Sequence, residues 1–312
     1  MKKPTIDILL STYNGERYLR EQLESILAQS FTDWRLLIRD DGSADATVSM
    51  VADYARRYPE RICLAESAGG NLGACQSFAR LLELAEAPYV MFSDQDDVWL
   101  VDKVTASYRR LQQLEAEHGS DTPCLVFSDV TVVDQQLQPL APSLWRYQGT
   151  SPAVATRLNR LLLMNPANGC TMLFNRALLA AAAPIPGEAL MHDFWLALVA
   201  AVVGRSSYLE EPTLLYRQHG RNESVTRRWG VVSILRQLRH LPEVRAALGS
   251  TRGQAVVLYR RFGSTMPAAD RRRLLAYLGL PGRGFFGRRF DICRHRLFYC
   301  GAARNLGWLL LC

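Results

Sequence analysis

Three carboxylates fall within four residues of SDQDDVW: Asp94, Asp96 and Asp97. Like charges this close repel, so such a loop is either openly solvated or built to meet a cation. Clustered carboxylate oxygens are hard ligands. They suit Mg2+ or Mn2+, ions that keep some of their waters and share themselves with substrate phosphates.

Other stretches carry residues of the same kind. MHDFWLALVAA places His192 and Asp193 just before an apolar helical run. Asp193 there is either a helix cap or a general base, because a carboxylate held in a cleft can be tuned to remove a proton. YRQHGRNES offers His219, a nitrogen ligand only if the fold returns it to the side of Asp96. In RDDGSADAT, Asp41 could accept the imide N–H of uracil or thymine, and Asp45 reads as a helix cap. This stretch is not an EF-hand: its Gly comes too early and the closing Glu is missing. Gly69, Gly70 and Gly73 precede another helical run, a setting that suits phosphate, yet neither common nucleotide-binding glycine motif occurs.

What positions these residues is an alternation of strands and helices over residues 5–128. TIDILLS, WRLLIRD, RICLAE, PYVMFS and CLVFSDV read as strands. Between them, YLREQLESILAQ, DATVSMVADYARRY, NLGACQSFARLLELA and VDKVTASYRRLQQLEAE carry apolar residues at helical spacing. That order predicts an α/β fold with a mostly parallel sheet, whose ligands belong at the carboxyl ends of the strands. Ser11, Asp40–Asp41 and Asp94–Asp97 all fall at such ends, so three strands bring polar residues to one rim. Residues 134–160 are turn-rich and read as a connecting or lid segment.

Composition bounds the reading further. The chain has 312 residues, 48% of them hydrophobic, as an ordinary folded protein does. Pro4 and Asp7 interrupt any apolar core of a secretory leader, and no run is long enough for a membrane span. Seven cysteines lie scattered without a C-x-x-C pair, which argues against a disulfide framework or zinc site and for a reducing cytoplasm. Charge is uneven. From Arg221 onward there are 18 Arg, no Lys and four acids, giving +14, while the first 220 residues carry −7. Such a tail points to an anionic partner, though a chain with three lysines in all also reflects a general preference for Arg.

In this order the motifs resemble glycosyltransferase family 2, the inverting enzymes of GT-A fold, over about residues 5–224. The resemblance rests on ILLSTYNGERYLREQLESILAQSF, LIRDDGSADAT, GGNLGACQSF, YVMFSDQDDVW, NGCTMLFNRALL and MHDFWLALVA. SDQDDVW, MHDFW and YRQHG look most like the rhamnosyltransferase-like branch that builds bacterial surface polysaccharides. It implies a catalytic domain over residues 1–224, with a nucleotide half to about 130 and an acceptor half beyond. It also implies a nucleotide-sugar donor, dTDP-rhamnose or a UDP-hexose, a glycan or polyprenyl-linked acceptor, and Mg2+ or Mn2+ as cofactor. Ser11, Tyr13, Asp41 and Asn71 would hold the donor, with Asp94 at the ribose or sugar. Asp96 would ligate the metal and His219 would join it or the diphosphate. Asp193 would be the base, in a His-Asp pair where the family often has Glu-Asp. Asp97 and His192 are accessory positions, and Trp195 either packs against a sugar or belongs to the core.

Residues 225–312 lie outside the resemblance. WGVVSILRQLRHLPEVRAAL, RRRLLAYLGL and GRGFFGRRFDICRHRLFYCGAARNLGWLLLC read as basic amphipathic helices. They form either a helical cap on the catalytic domain or a peripheral anchor on the anionic cytoplasmic face of the inner membrane. A nucleic-acid partner is not expected, since no binding motif is present and the acidic main domain would repel phosphate backbones. The remaining rivals are a non-catalytic nucleotide-sugar-binding or scaffolding relative and a pyrophosphorylase-like enzyme, for which STYNGERYL is a poor phosphate loop.

Overall fold

The structure is a computed structural model that describes residues 3–66, 70–220 and 241–311. Arg221–Ser224 of the YRQHGRNES stretch, the segment WGVVSILRQLRH and Gly69 lie outside the described residues.

Among the described residues, nine strands form one sheet in the order β3-β2-β1-β4-β8-β6-β9-β5, with β7 paired to β6. The first four, β3 (Ile62–Leu64), β2 (Trp34–Asp40), β1 (Ile6–Thr12) and β4 (Tyr89–Ser93), run parallel. Helices α1 (Leu19–Leu27), α2 (Thr47–Arg57) and α3 (Ala74–Leu84) connect them. Parallel neighbours cannot be joined by a hairpin, so each crossover must be long enough to carry a helix. β8 (Leu173–Asn175) is antiparallel to both β4 and β6 (Cys124–Val133). β9 (Arg205–Arg217) returns parallel to β6, and the two-residue β5 (Val98–Trp99) pairs antiparallel with its end. The strand leading to His219 is thus 13 residues long, not short as YRQHG alone suggests. Its outward turn at Glu210 and Glu211 breaks the alternation that would have marked it.

Side-chain alternation splits the interior into two cores. Ile6, Ile8, Leu10, Leu36, Ile38 and Met91 pack against α1, α2 and α4 (Lys103–His118). Leu9, Leu37, Val90, Phe92, Leu125 and Phe127 face α3, α7 (Arg176–Ala182) and α8 (His192–Val203). Between β6 and β8 lie β7 (Pro139–Ala141) and the short helices α5 (Leu144–Gln148) and α6 (Leu158–Leu161).

The basic extension forms α9 (Leu241–Phe262), α10 (Ala268–Gly279), α11 (Phe285–His295) and α12 (Ala302–Leu311). It is not a separate body. Ala255, Leu258, Leu274, Tyr277, Leu280, Ile292, Leu297 and Trp308 belong to the same core as Trp195 and the helices on that face of the sheet. Trp195 is correspondingly a core residue. It is fully buried, donates its indole N–H to the Ala182 carbonyl at 2.9 Å, and is covered by the Arg261 guanidinium. It cannot pack against a sugar from there. Beyond its first turn the helix is apolar nearly all round, the mark of a buried element.

Candidate active site

Parallel register brings the functional loops together. Ser11 lies beside Arg39, Thr12 beside Asp40, and Leu10 beside Ser93, so β1, β2 and β4 end at the same level. The loops that follow are tied by side chains. Asn14 and Gly15 donate their backbone N–H groups to Ser43 and Thr47. Asp45 accepts from the backbone N–H groups of Thr47 and Glu16, a turn just ahead of α2, whose cap position is Ala46 and not Asp45.

Donor-side residues form a connected set. The Ser11 hydroxyl donates to Ser77 at 2.6 Å, and Arg39 donates to both Ser77 and Asp41. Asp41 also accepts from the backbone N–H groups of Leu72 and Gly73, and is only 3% exposed. In this form its carboxylate shapes the wall between two loops. It does not stand open as a base acceptor, the role read from its place at a strand end. Gly42 and Gly73 adopt positive φ on either side of that wall, where a side chain would strain the turn. Asn71 is exposed and caps the turn through the Gly73 N–H. Tyr13 stands half exposed at the rim.

The acidic loop divides by depth. Asp94 and Asp96 are partly accessible; Asp97 is fully buried. The Asp96 carboxylate lies 2.7 Å from Nε2 of His219, whose ring stacks on Tyr18. Asp97 accepts the Arg217 N–H through one oxygen, and its other oxygen has no hydrogen-bond partner among the described residues. Burial, with Asp96 and Asp94 adding their charges, pushes the Asp97 carboxyl well above the usual range. Beneath it, Lys103 is buried over the Trp99 ring with no hydrogen-bond partner among the described residues, and desolvation lowers its ammonium to about 8.

These donors fit a hard divalent cation. Oxygens of Asp94 and Asp97 and the Cys170 sulfur lie within 4.8 Å of one another, but this cluster is not the best place for the ion. Asp97 and Cys170 are closed off from solvent, and burial holds the Cys170 thiol protonated. An ion arriving with a diphosphate would instead meet Asp96, His219 and Asp94 at the surface of the loop.

Asp193 occupies the first turn of α8, its oxygens held by the N–H groups of Gly169 (2.9 Å) and Phe194. Burial outweighs those bonds and raises the carboxyl to about 6. The residue still keeps part of its surface open. His192 turns the other way. Its ring is sandwiched against Phe78, meets Phe92 edge-on, and neither nitrogen has a partner among the described residues. Burial lowers its imidazolium to about 3, so it is a neutral packing group and not an accessory to the base. One dipeptide joins the two halves of the site: Gly169 holds Asp193, and the Cys170 sulfur lies within 4.8 Å of carboxylate oxygens of Asp94 and Asp97.

Two residues escaped the sequence reading. Gln95 brackets Tyr13, accepting from its N–H and donating to its carbonyl, both at 2.9 Å. Arg217 is buried, donates to the carbonyls of Asp96 (2.8 Å) and Gln135 (2.7 Å), and pairs with Glu21. An arginine ending the apolar run LLY, two residues before His219, was the available signal.

Comparison with known proteins places this geometry. The model of the Glycosyl transferase family 2 family matches residues 7–178. The chain belongs to glycosyltransferase family 2. The dTDP-rhamnosyl transferase RfbG of Shigella flexneri is 29% identical over 69% of this chain and 73% of its own. Among solved structures, TarS of S. aureus (residues 1–349) superposes with a TM-score of 0.55 at 18% identity, covering 93% of this chain and 73% of that one. The mannosyltransferase PcManGT of Pyrobaculum calidifontis, in complex with GDP-Man and Mn2+, gives 0.51 at 14% identity over 95% and 86% of the two chains. The fold of this glycosyltransferase is therefore GT-A, with its acidic loop on the β4 side of the rim.

Proposed function

We propose that this glycosyltransferase moves a sugar, with inversion, from a nucleotide-diphosphate donor to a hydroxyl of a glycan or lipid-linked glycan in the building of a bacterial surface polysaccharide. The donor is dTDP-rhamnose or a UDP-hexose; the likeness to a dTDP-rhamnosyl transferase favours the former. The observation that carries the reading is the Gly169–Cys170 dipeptide, which holds a carboxylate of near-neutral pKa next to the acidic loop.

The chemistry follows from these placements. Tyr13, Asn71 and the Ser11–Ser77–Arg39–Asp41 wall receive the nucleoside, with Asp94 turned to the ribose or sugar. Asp96 and His219 would hold a divalent ion, which when bound neutralises charge on the departing diphosphate. Asp193 takes the proton of the acceptor hydroxyl, and its raised pKa makes it a stronger base than a free carboxylate at the cost of being protonated below about pH 6. The acceptor oxygen then attacks the anomeric carbon from the face opposite the leaving group. No covalent intermediate is needed, and Cys170 is too buried and too weakly acidic to provide a nucleophile.

A panel of nucleotide-sugars with Mg2+ or Mn2+ tests the reading on the intact chain, Asp96→Ala and Asp193→Ala. Transfer or slow donor hydrolysis by the intact chain, lost in both variants, supports it. Donor binding without turnover would instead favour a non-catalytic relative, and normal turnover by Asp193→Ala would remove the base.

A further inference from the structure

The basic extension divides into a part that packs and a part that does not. Helix α9 gives Ala255 and Leu258 to the core and α10 gives Leu274 and Tyr277, as does the inner side of α11 through Ile292. Asp291, the one acid of α11, also turns inward and pairs with Arg283 at 3.0 Å. The opposite side of α11 covers nothing among the described residues. Phe285, Phe286 and Phe290 are 58%, 84% and 62% exposed.

At 100° per residue these three rings span about 140° of the helix circumference, with Arg289 and the exposed Cys293 between them and Arg294 at one border. The Arg289 guanidinium lies 3.5 Å from the Phe285 ring centre, and that of Arg294 lies 5.8 Å from Phe290. The outward face is thus aromatic and cationic with no acid on it. Three neighbouring phenyl rings left in water are unfavourable, and soluble monomers seldom gather them. A face whose rings sit beneath guanidinium groups matches one surroundings in particular: an apolar layer under an anionic one. That is the boundary of a lipid bilayer bearing acidic headgroups.

We propose that the Phe285–Phe286–Phe290 face of α11, with Arg289 and Arg294, docks the enzyme on an anionic bilayer. The phenyl rings enter the headgroup–acyl boundary and the guanidinium groups pair with lipid phosphates. No described helix is long and apolar enough to cross the membrane, so this contact is peripheral. Docking on lipid involves neither donor nor acceptor, so it goes beyond the reaction proposed above and can fail independently of it.

Sedimentation of the full chain with vesicles of phosphatidylcholine alone, and of phosphatidylcholine mixed with phosphatidylglycerol, tests it. The unaltered chain is expected to sediment with the mixed vesicles only. Arg289→Gln and Arg294→Gln should each weaken that binding about fivefold, the effect of one cation near such a surface. Phe286→Ser with Phe290→Ser should reduce it at least about tenfold, since most of the buried apolar area is gone. Phe286, Phe290 and Arg294 are exposed and Arg289 is partly so, and an unchanged Tm will show that the variants fold. Equal binding to neutral vesicles, or equal binding by the Phe variant, overturns the proposal. So does a dimer in size-exclusion chromatography that the Phe variant abolishes, because the face would then belong to a second copy of the chain.

Discussion

Nε2 of His219 lies 2.7 Å from the Asp96 carboxylate, although 123 residues separate them in sequence. β9 makes this possible by running back beside β5 and ending level with the acidic loop. Tyr18 stacks under the imidazole and fixes its plane. If the pair holds a divalent ion, chelation should abolish transfer and added Mn2+ should restore it. His219→Ala should raise the Mn2+ concentration needed for half-maximal rate at least about tenfold, as loss of a group that ligates or orients a ligand does. Asp96→Ala should not recover at any Mn2+ concentration. Titration of Mn2+ by its paramagnetic signal, without donor, checks the same affinities apart from turnover.

Asp193 predicts an acid limb in the rate. The base must be ionised, so kcat/KM should fall tenfold per pH unit below about 6, the value burial gives this carboxyl. Its effect on stability has a definite sign. The folded pKa lies above the ordinary 3.8, so the unfolded chain releases this proton first and raising the pH from about 4 to about 6 destabilises the fold. Asp193→Asn lacks this titration. The difference in Tm between the Asp193→Asn variant and the unaltered protein should therefore grow across that window in favour of the variant and level off above it, while activity drops at least about a thousandfold. A flat difference would mean the carboxyl is not perturbed.

The sheet was legible because its code is local: strand-like runs alternate with helical ones, and Ser11, Asp40 and Ser93 each end a run. The site was legible only where chemistry showed in residue type. Asp96 and Asp193 announce themselves as carboxylates ahead of or behind an apolar element. His219 needed the fold, since nothing near it in sequence tells that β9 returns to β5. Asp41 and His192 were not legible in this way. A strand-end carboxylate and a histidine beside the base look functional, yet which way each turns depends on distant partners. Arg39 and the Leu72–Gly73 backbone draw Asp41 inward, and Phe78 and Phe92 enclose His192. Gln95 and Arg217 were missed for the same reason: their partners are backbone atoms of remote loops and, for Arg217, also Glu21 on α1.

Gln95 couples the acidic loop to the nucleoside side of the rim through two bonds to the Tyr13 backbone. Gln95→Ala should release Tyr13, raising the donor KM about tenfold with a smaller change in kcat, the scale of one or two hydrogen bonds at a partly exposed position. A methyl added at Gly15 would lie 2.2 Å from the Gln95 amide oxygen, so Gly15→Ala must push that side chain away. The two substitutions therefore break one link. Their double variant should be no worse than the stronger single, a non-additivity that a steady-state donor titration of all four proteins will show. Additive effects would mean that Gly15 acts on something else.

Arg217 ties together what the site needs to keep fixed: the Asp96 carbonyl, the Asp97 carboxyl, the Gln135 carbonyl and Glu21. Its guanidinium also lies 4.5 Å from the Tyr18 ring centre, the same ring that supports His219. Glu21 is half exposed, so that ion pair alone is worth little. The loss on removal comes from buried acceptors left without a donor. Arg217→Met should lower stability by about 3 kcal/mol, read as a drop of several degrees in Tm. Lys should not restore it, because one ammonium cannot reach carbonyls that a planar fork serves from separate nitrogens. The variant that best isolates function is Arg217→Lys assayed well below its Tm. Folded but unclamped, it should bind Mn2+ more weakly than the parent because Asp96 and His219 no longer share a fixed support. Parental Mn2+ affinity in a folded Lys variant would leave Arg217 a role in stability alone.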